Sequence, residues 1–177
     1  MKGVRARRAA CAALAFLLAT GCSTVPPFEN GDVLAGRLVL QISPGAITPA
    51  QQWSAGFELR GSAQAGELEL TSPLGTTVAQ ARWHPGQVEL LQGGERRTFA
   101  DLDELSRQLL GENVPLEALF DWLRGRPWPA TGHERTALGF VQQGWAVDLS
   151  GLGEGRLTAR RDQAPAILLR ARLEAAP

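Results

Sequence analysis

The chain has 177 residues, with 18 basic and 18 acidic side chains, two histidines and two cysteines. Setting aside an N-terminal signal leaves about 156 residues, enough for one domain with a single core. That remainder carries 14 basic against 18 acidic groups, interspersed along the chain, a balance that speaks against nucleic acid as a partner.

Lys2, Arg5, Arg7 and Arg8 form a basic opening, and Ala9 to Leu18 an almost unbroken apolar run. That run is too short for a membrane span, which needs about 20 residues, and fits a secretory signal. The small residues Ala19, Thr20 and Gly21 then lead to Cys22. This layout resembles a bacterial lipobox, with Ala19 where lipoproteins more often carry leucine. The resemblance implies that the Cys22 thiol takes a diacylglycerol, that cleavage follows Gly21, and that the freed amine is acylated. The other reading is an ordinary signal with an incidental cysteine. By likeness to enteric lipoproteins, Ser23 favours retention in the outer membrane. Cys11 leaves with the signal, so the mature domain has no thiol for a disulfide, a metal site or a nucleophile. The expected organisation is a signal peptide over 1–21, a lipidated N-terminus and tether over 22–33, and one domain over 34–177. Pro26, Pro27, Asn30 and Gly31 oppose regular structure in the tether.

From Leu34 the pattern alternates. Leu34, Gly36, Leu38, Leu40 and Ile42 share one face, and Arg37, Val39 and Gln41 the other, which predicts a strand. Further strands are expected at Gln52–Arg60, Gly66–Thr71, Thr77–Trp83, Val88–Gln92 and Arg96–Phe99. Ser72 to Thr76, His84-Pro85-Gly86 and Gly93-Gly94 supply the turns. The period then lengthens. Leu102, Leu105, Leu109 and Leu110 predict a helix over Asp101–Leu110, with Asp101 and Glu104 placed as a capping box. A second helix is expected over Pro115–Arg124, with Pro115 at its first helical position and Leu116, Leu119, Phe120 and Leu123 as an apolar stripe that Trp122 widens. After a loop over Arg126–Gly132, strands resume at Ala137–Gln142, Gly144–Leu149, Arg156–Arg161 and Ile167–Leu173. About ten strands with two helices after the sixth predict a mainly β fold with a helical insertion (α+β), an antiparallel sheet curling towards a barrel.

Ser72-Pro73-Leu74-Gly75-Thr76 places a large apolar side chain at a turn tip, where small polar residues are usual. Either Leu74 folds back onto the core, or it is a hydrophobic probe for a membrane or partner.

Gly36-Arg37-Leu38, Leu70 to Thr76, Val114-Pro115-Leu116, Trp122 to Pro127, Gly139-Phe140 and Gln143-Gly144-Trp145 cover most of the mature chain. In this order and spacing they resemble the LolB family of outer-membrane lipoprotein receptors. The resemblance implies an incomplete antiparallel β-barrel around a hydrophobic cavity, closed by a helical lid. It implies a soluble periplasmic LolA-type carrier as partner and acyl chains of client lipoproteins as cargo. It also implies that the Pro73-Leu74-Gly75 loop takes part in putting lipoproteins into the membrane. The chain departs from the family in lacking a tryptophan near its C-terminal end and in a short segment before the last strand, both of which bear on how the barrel closes.

Burying a methylene is worth about 0.8 kcal/mol, so one long acyl chain represents roughly 10 kcal/mol that a receptor must match with apolar lining. Trp53, Phe57, Leu59, Leu70, Trp83, Leu119, Trp122, Leu123, Phe140 and Trp145 are the candidate lining, and ordinary core packing is the alternative for each tryptophan. Trp128, between prolines, belongs at the lid or an interface. No phosphate-binding Gly-x-x-x-x-Gly-Lys occurs, so transfer is expected to run downhill without an energy source of its own. His84 and His133 lack metal-ligand spacing, no Gly-x-Ser-x-Gly elbow occurs, and Gly151 to Gly155 reads as a hairpin connection. Neither a cofactor nor a catalytic site is expected. A monomeric receptor is the favoured function, and a structural or assembly lipoprotein with a solid β core is the alternative.

Overall fold

A computed structural model describes residues 33–45 and 49–174. The signal, Cys22 and nearly all of the tether lie outside the described residues. Six strands come first: β1 (Leu34–Ile42), β2 (Gln51–Gly61), β3 (Gly66–Thr71), β4 (Thr77–His84), β5 (Gln87–Gln92) and β6 (Glu95–Phe99). Helices α1 (Leu102–Leu110) and α2 (Leu116–Trp122) follow, then β7 (Glu134–Arg135), β8 (Gly139–Gln142), β9 (Trp145–Asp148), β10 (Arg156–Arg161) and β11 (Ile167–Leu173).

Alternation does most of the work. In β1, Gly36, Leu38, Leu40 and Ile42 are buried while Arg37 faces solvent. Hairpins join the neighbours wherever the backbone can turn tightly. Gly93 and Gly94 both take positive φ, 59° and 85°, as a two-residue turn matched to strand twist requires. All eleven strands form one antiparallel sheet in the order β6-β5-β4-β3-β2-β1-β11-β10-β9-β8-β7. The first and last strands therefore pair at the centre, from Gly36 opposite Leu173 to Ile42 opposite Ile167. A side chain at Gly36 has no room there: its Cβ would lie 2.1 Å from the Arg172 carbonyl oxygen. The free edges are β6 and β7, and the chain crosses between them through both helices. The barrel is thus open between β6 and β7, and the last strand is not an edge. The C-terminal departures from the family do not fall on the opening.

The helices start and stop for local reasons. Asp101 Oδ1 accepts from the Glu104 amide at 2.7 Å, and Glu104 Oε2 accepts from the Ala100 amide at 2.8 Å, one residue earlier than in a strict capping box. Gly111, at φ 81°, ends α1 and donates to the Arg107 carbonyl. Pro115 is the N-cap of α2 rather than its first helical residue. Its ψ of 88° is not helical, but its carbonyl accepts from the Leu119 amide at 3.2 Å. Nearly all of α2 is buried, because it lies in the hollow of the sheet with α1 packed beside it against β5 and β6.

After the helices the strand pattern departs from expectation in two places, and α2 is itself shorter than the expected Pro115–Arg124. The strand expected from Ala137 begins at Gly139, since Thr136 donates to the Gly139 carbonyl and closes a turn through Ala137 and Leu138. The two exposed residues Glu134 and Arg135 pair with Val141 and Phe140 as an eleventh strand. Their existence as a strand comes from that pairing and from no pattern of their own.

Candidate functional site

The inner face of β1, β2, β3 and β11 meets the helices across an entirely nonpolar seam. A void of about 30 Å³ lies there, floored by Leu38, Leu40, Trp53, Phe57, Leu59, Leu68, Leu70, Leu169 and Ala171 and roofed by Leu110, Val114, Leu116, Leu119 and Leu123. Every lining residue is buried except Trp53, which is partly exposed and carries the seam to the surface. A void of this size is about the share of one water molecule in the liquid. The roof is seated on the sheet, and the void as it stands is too small for a long acyl chain.

The structure divides the ten candidate lining residues. Trp53, Phe57, Leu59, Leu70, Leu119 and Leu123 border the void. Trp83, Trp122, Phe140 and Trp145 do not; they pack a solid region on either side. Trp83 meets Phe120 edge-on, with centroids 5.7 Å apart, and its Nε1 donates to the Ala63 carbonyl. Trp122 packs on Phe140 at 6.4 Å and on Trp145 at 6.0 Å. Its Nε1 donates to Gln142 Oε1 at 2.8 Å. Gln142, also buried, accepts from the Trp128 amide and donates to the carbonyls of Trp128 and Thr131, fixing the loop after α2 to β8. Sequence reasoning passed over Leu38, Leu40, Leu68, Leu110, Val114, Leu116, Leu169 and Ala171. The alternation of β1, β3 and β11 and the stripe of α2 already marked most of them as inward-facing.

The roof is tied at one corner. Arg161 donates to Glu112 Oε2 at 3.0 Å and to the Asn113 carbonyl at 3.3 Å, with its guanidinium 5.7 Å from the Trp145 ring centroid. The fully buried Ser106 accepts from the Val114 amide at 3.1 Å, bracing the turn between the helices. Past α2, Arg124 donates to the Phe120 carbonyl and Arg126 to Asp121, so both stay near the helix C-terminus that favours them. On α2, Glu117 has its carboxyl pushed above the usual range by burial, and the Asp103 and Asp101 charges add to the effect.

At the rim, Leu74 is 93% exposed. It does not fold back onto the core. The loop holds it out: Ser72 donates to the Thr76 carbonyl at 2.8 Å, Gly75 donates to the Ser72 carbonyl at 2.9 Å, and Ser72 Oγ accepts from the Thr76 amide at 3.2 Å. Gly75 takes the positive φ of 81° that completes the turn. Leaving a leucine in water forgoes about 1.5–3 kcal/mol.

His84 lies against its neighbouring Pro85 carbonyl and His133 edge-on to Phe140, with no shared site. Among the described residues no cluster of metal-ligating side chains occurs, and no helix is long and apolar enough to cross a membrane.

An open antiparallel half-barrel with a nonpolar inner face, two helices across its mouth and a lipobox-like N-terminus has the form of a membrane-anchored lipoprotein domain. The family model described as "Outer membrane lipoprotein LolB" matches residues 37–166. A protein of Bordetella petrii named outer-membrane lipoprotein LolB is 33% identical, with 96% of this chain and 87% of the relative covered. Relatives of the same name from Chromobacterium violaceum and Thiobacillus denitrificans are each 34% identical over 80% of this chain and 81% of their own length. The chain belongs to the LolB family of outer-membrane lipoproteins.

Proposed function

We propose that this protein is a receptor that takes acylated lipoproteins from a LolA-type periplasmic carrier and passes them to the outer membrane in which it is anchored. The cargo's acyl chains occupy the seam between sheet and helices once the roof lifts, and Leu74 enters the bilayer at release. The lipid on Cys22 keeps a single copy of the domain at the membrane. Transfer runs downhill, because each methylene gains about 0.8 kcal/mol wherever apolar contact improves and the bilayer offers the most. The observation that carries this reading is the exposed leucine on a hydrogen-bonded loop beside a hollow lined wholly by nonpolar side chains.

The test is transfer of a labelled lipoprotein from carrier to outer-membrane vesicles. Leu74→Glu is expected to keep the thermal transition and carrier binding unchanged and to lose transfer. Wild-type transfer by this variant would remove the loop from the mechanism. The small size of the void favours a second reading, a structural lipoprotein with a solid interior. Uptake of an apolar fluorescent probe or a fatty acid by the non-acylated protein separates the two, since only the receptor binds either.

A further inference from the structure

The seam faces inward, and the opposite face of the same strands has a different character. Pairing sets Arg37 of β1 opposite Arg172 of β11, and Arg172 opposite Arg156 of β10. Arg170 lies two residues along on the same face, and all four are exposed. Like charges directly across a sheet disfavour the pairing. Counter-charges do little to relieve them. Arg156 pairs with Glu154, but among the described residues Arg37, Arg170 and Arg172 have neither an ion pair nor a side-chain hydrogen bond. The shallow depression these four line contains one carboxylate, Asp148, which accepts from the Ser150 amide and leaves the four arginines in excess there. This concentration of positive charge occurs in a mature chain that is net acidic.

We infer that the outward face of β1, β11 and β10 is a contact surface for anionic lipid headgroups, which sets the domain's orientation on the bilayer. Guanidinium groups bind phosphate oxygens in pairs, and each loses less hydration on contact than an ammonium does. Two placements favour a membrane. Arg37 borders the same surface depression as Ser72, Pro73 and Gly75, so the basic row adjoins the Leu74 loop. Three acids share that depression: Glu58 is paired with Arg60, Glu69 accepts from Thr77 and keeps its charge, and Glu174 is the third, so the positive character lies on the β11 and β10 side of Arg37. Eleven residues lie between Cys22 and Leu34, so a lipid on Cys22 holds β1 within about 40 Å of the membrane even with the tether fully extended. A carrier delivering acyl chains has to meet the rim of the hollow, and the arginines lie on the far side of the strands that floor it. The inference rests on the anchor and loop of the proposed function but not on the hollow.

The test uses the mature chain with Cys22→Ala, mixed with phosphatidylethanolamine–phosphatidylcholine vesicles without carrier or cargo. A matched set contains phosphatidylglycerol at about one lipid in five, enough for a surface potential that attracts basic groups. A basic residue near such a surface gives about a fivefold gain in binding, so R37Q/R170Q/R172Q is expected to lower affinity for the anionic vesicles roughly a hundredfold at low salt. Affinity for neutral vesicles stays unchanged, and the difference fades as salt rises. Leu74→Asn, which adds no charge, weakens binding to both kinds alike, which separates failure of the loop from failure of the basic face. The thermal transition of the triple variant is expected to hold or rise as repulsion is relieved. Undiminished binding of the triple variant to anionic vesicles overturns the inference. So does loss of carrier binding with vesicle binding intact, which would make the face a dock for an acidic protein.

Discussion

The two halves of the interior are built from different materials. Under β1 to β3 and β11, the contact between sheet and roof is mostly leucine on leucine, with no hydrogen bond crossing the void. Around β8 and β9 it is aromatic, and Gln142 pins it with four hydrogen bonds. Aliphatic contacts are nondirectional and can be exchanged for an acyl chain at little cost. The pinned aromatic region has no such exchange, because separating it strands buried donors and acceptors, each costing about 1–3 kcal/mol. If the roof moves, it parts along the leucine seam and stays fixed at the Gln142 side. Large aromatic side chains are therefore a poor guide to which residues border the void.

The largest expected effect comes from cutting into each half in turn. Trp122→Ala removes the centre of the aromatic cluster and leaves Gln142 short of a donor; it is expected to cost about 4 kcal/mol. Leu119→Ala is expected to cost about 2–3 kcal/mol and to enlarge the void, raising uptake of an apolar fluorescent probe. Chemical denaturation and probe titration on the two variants check the contrast. Greater probe uptake in Trp122→Ala than in Leu119→Ala would move the binding region to the aromatic half.

A smaller effect is expected where β1 meets β11, the strands that carry both the seam and the basic face. Gly36→Ala forces a methyl group towards the Arg172 carbonyl, and overpacking of this kind costs about 1–3 kcal/mol. A lowered midpoint in urea with an unchanged slope is the expected signature. An unchanged midpoint would mean the two strands can spread without loss.

Much of this was legible in advance, for reasons specific to each element. β3, β10 and β11 keep strict alternation between turn residues, and their bounds follow from the pattern alone. β7 has only two exposed polar residues, so nothing local announces it. The Pro-Leu-Gly tip was readable as unusual, but its two readings were separated only by the hydrogen bonds through Ser72 that keep Leu74 out. The floor of the void was obscured by size: tryptophans drew notice while the leucines that line it were simply inward-facing. The basic face was hidden more deeply. Each arginine sits on the outward phase of its own strand, yet Arg37 and Arg172 become neighbours only because the first and last strands pair.

The smallest effect tests the seam between the two helices. Glu117 shares a depression with Asp101 and Asp103 from the start of α1, and with Arg161 from β10. Burial favours the neutral acid, and the two aspartates add to this, so the folded state binds its proton more tightly than the unfolded chain does. A carboxyl raised in this way supports the fold fully below its ordinary value of 4.5, and that contribution is lost as pH rises through the folded value. Near neutrality the ionised group weakens the join between α1 and α2. Glu117→Gln is therefore expected to raise the melting temperature at neutral pH by about 1 °C, the scale of a partly exposed substitution. The two proteins should converge as the acid protonates, so melting curves across pH separate this charge effect from a packing change. A pH-independent gain would indicate packing alone. No gain at neutral pH would mean that Arg161 already compensates the ionised Glu117 carboxylate.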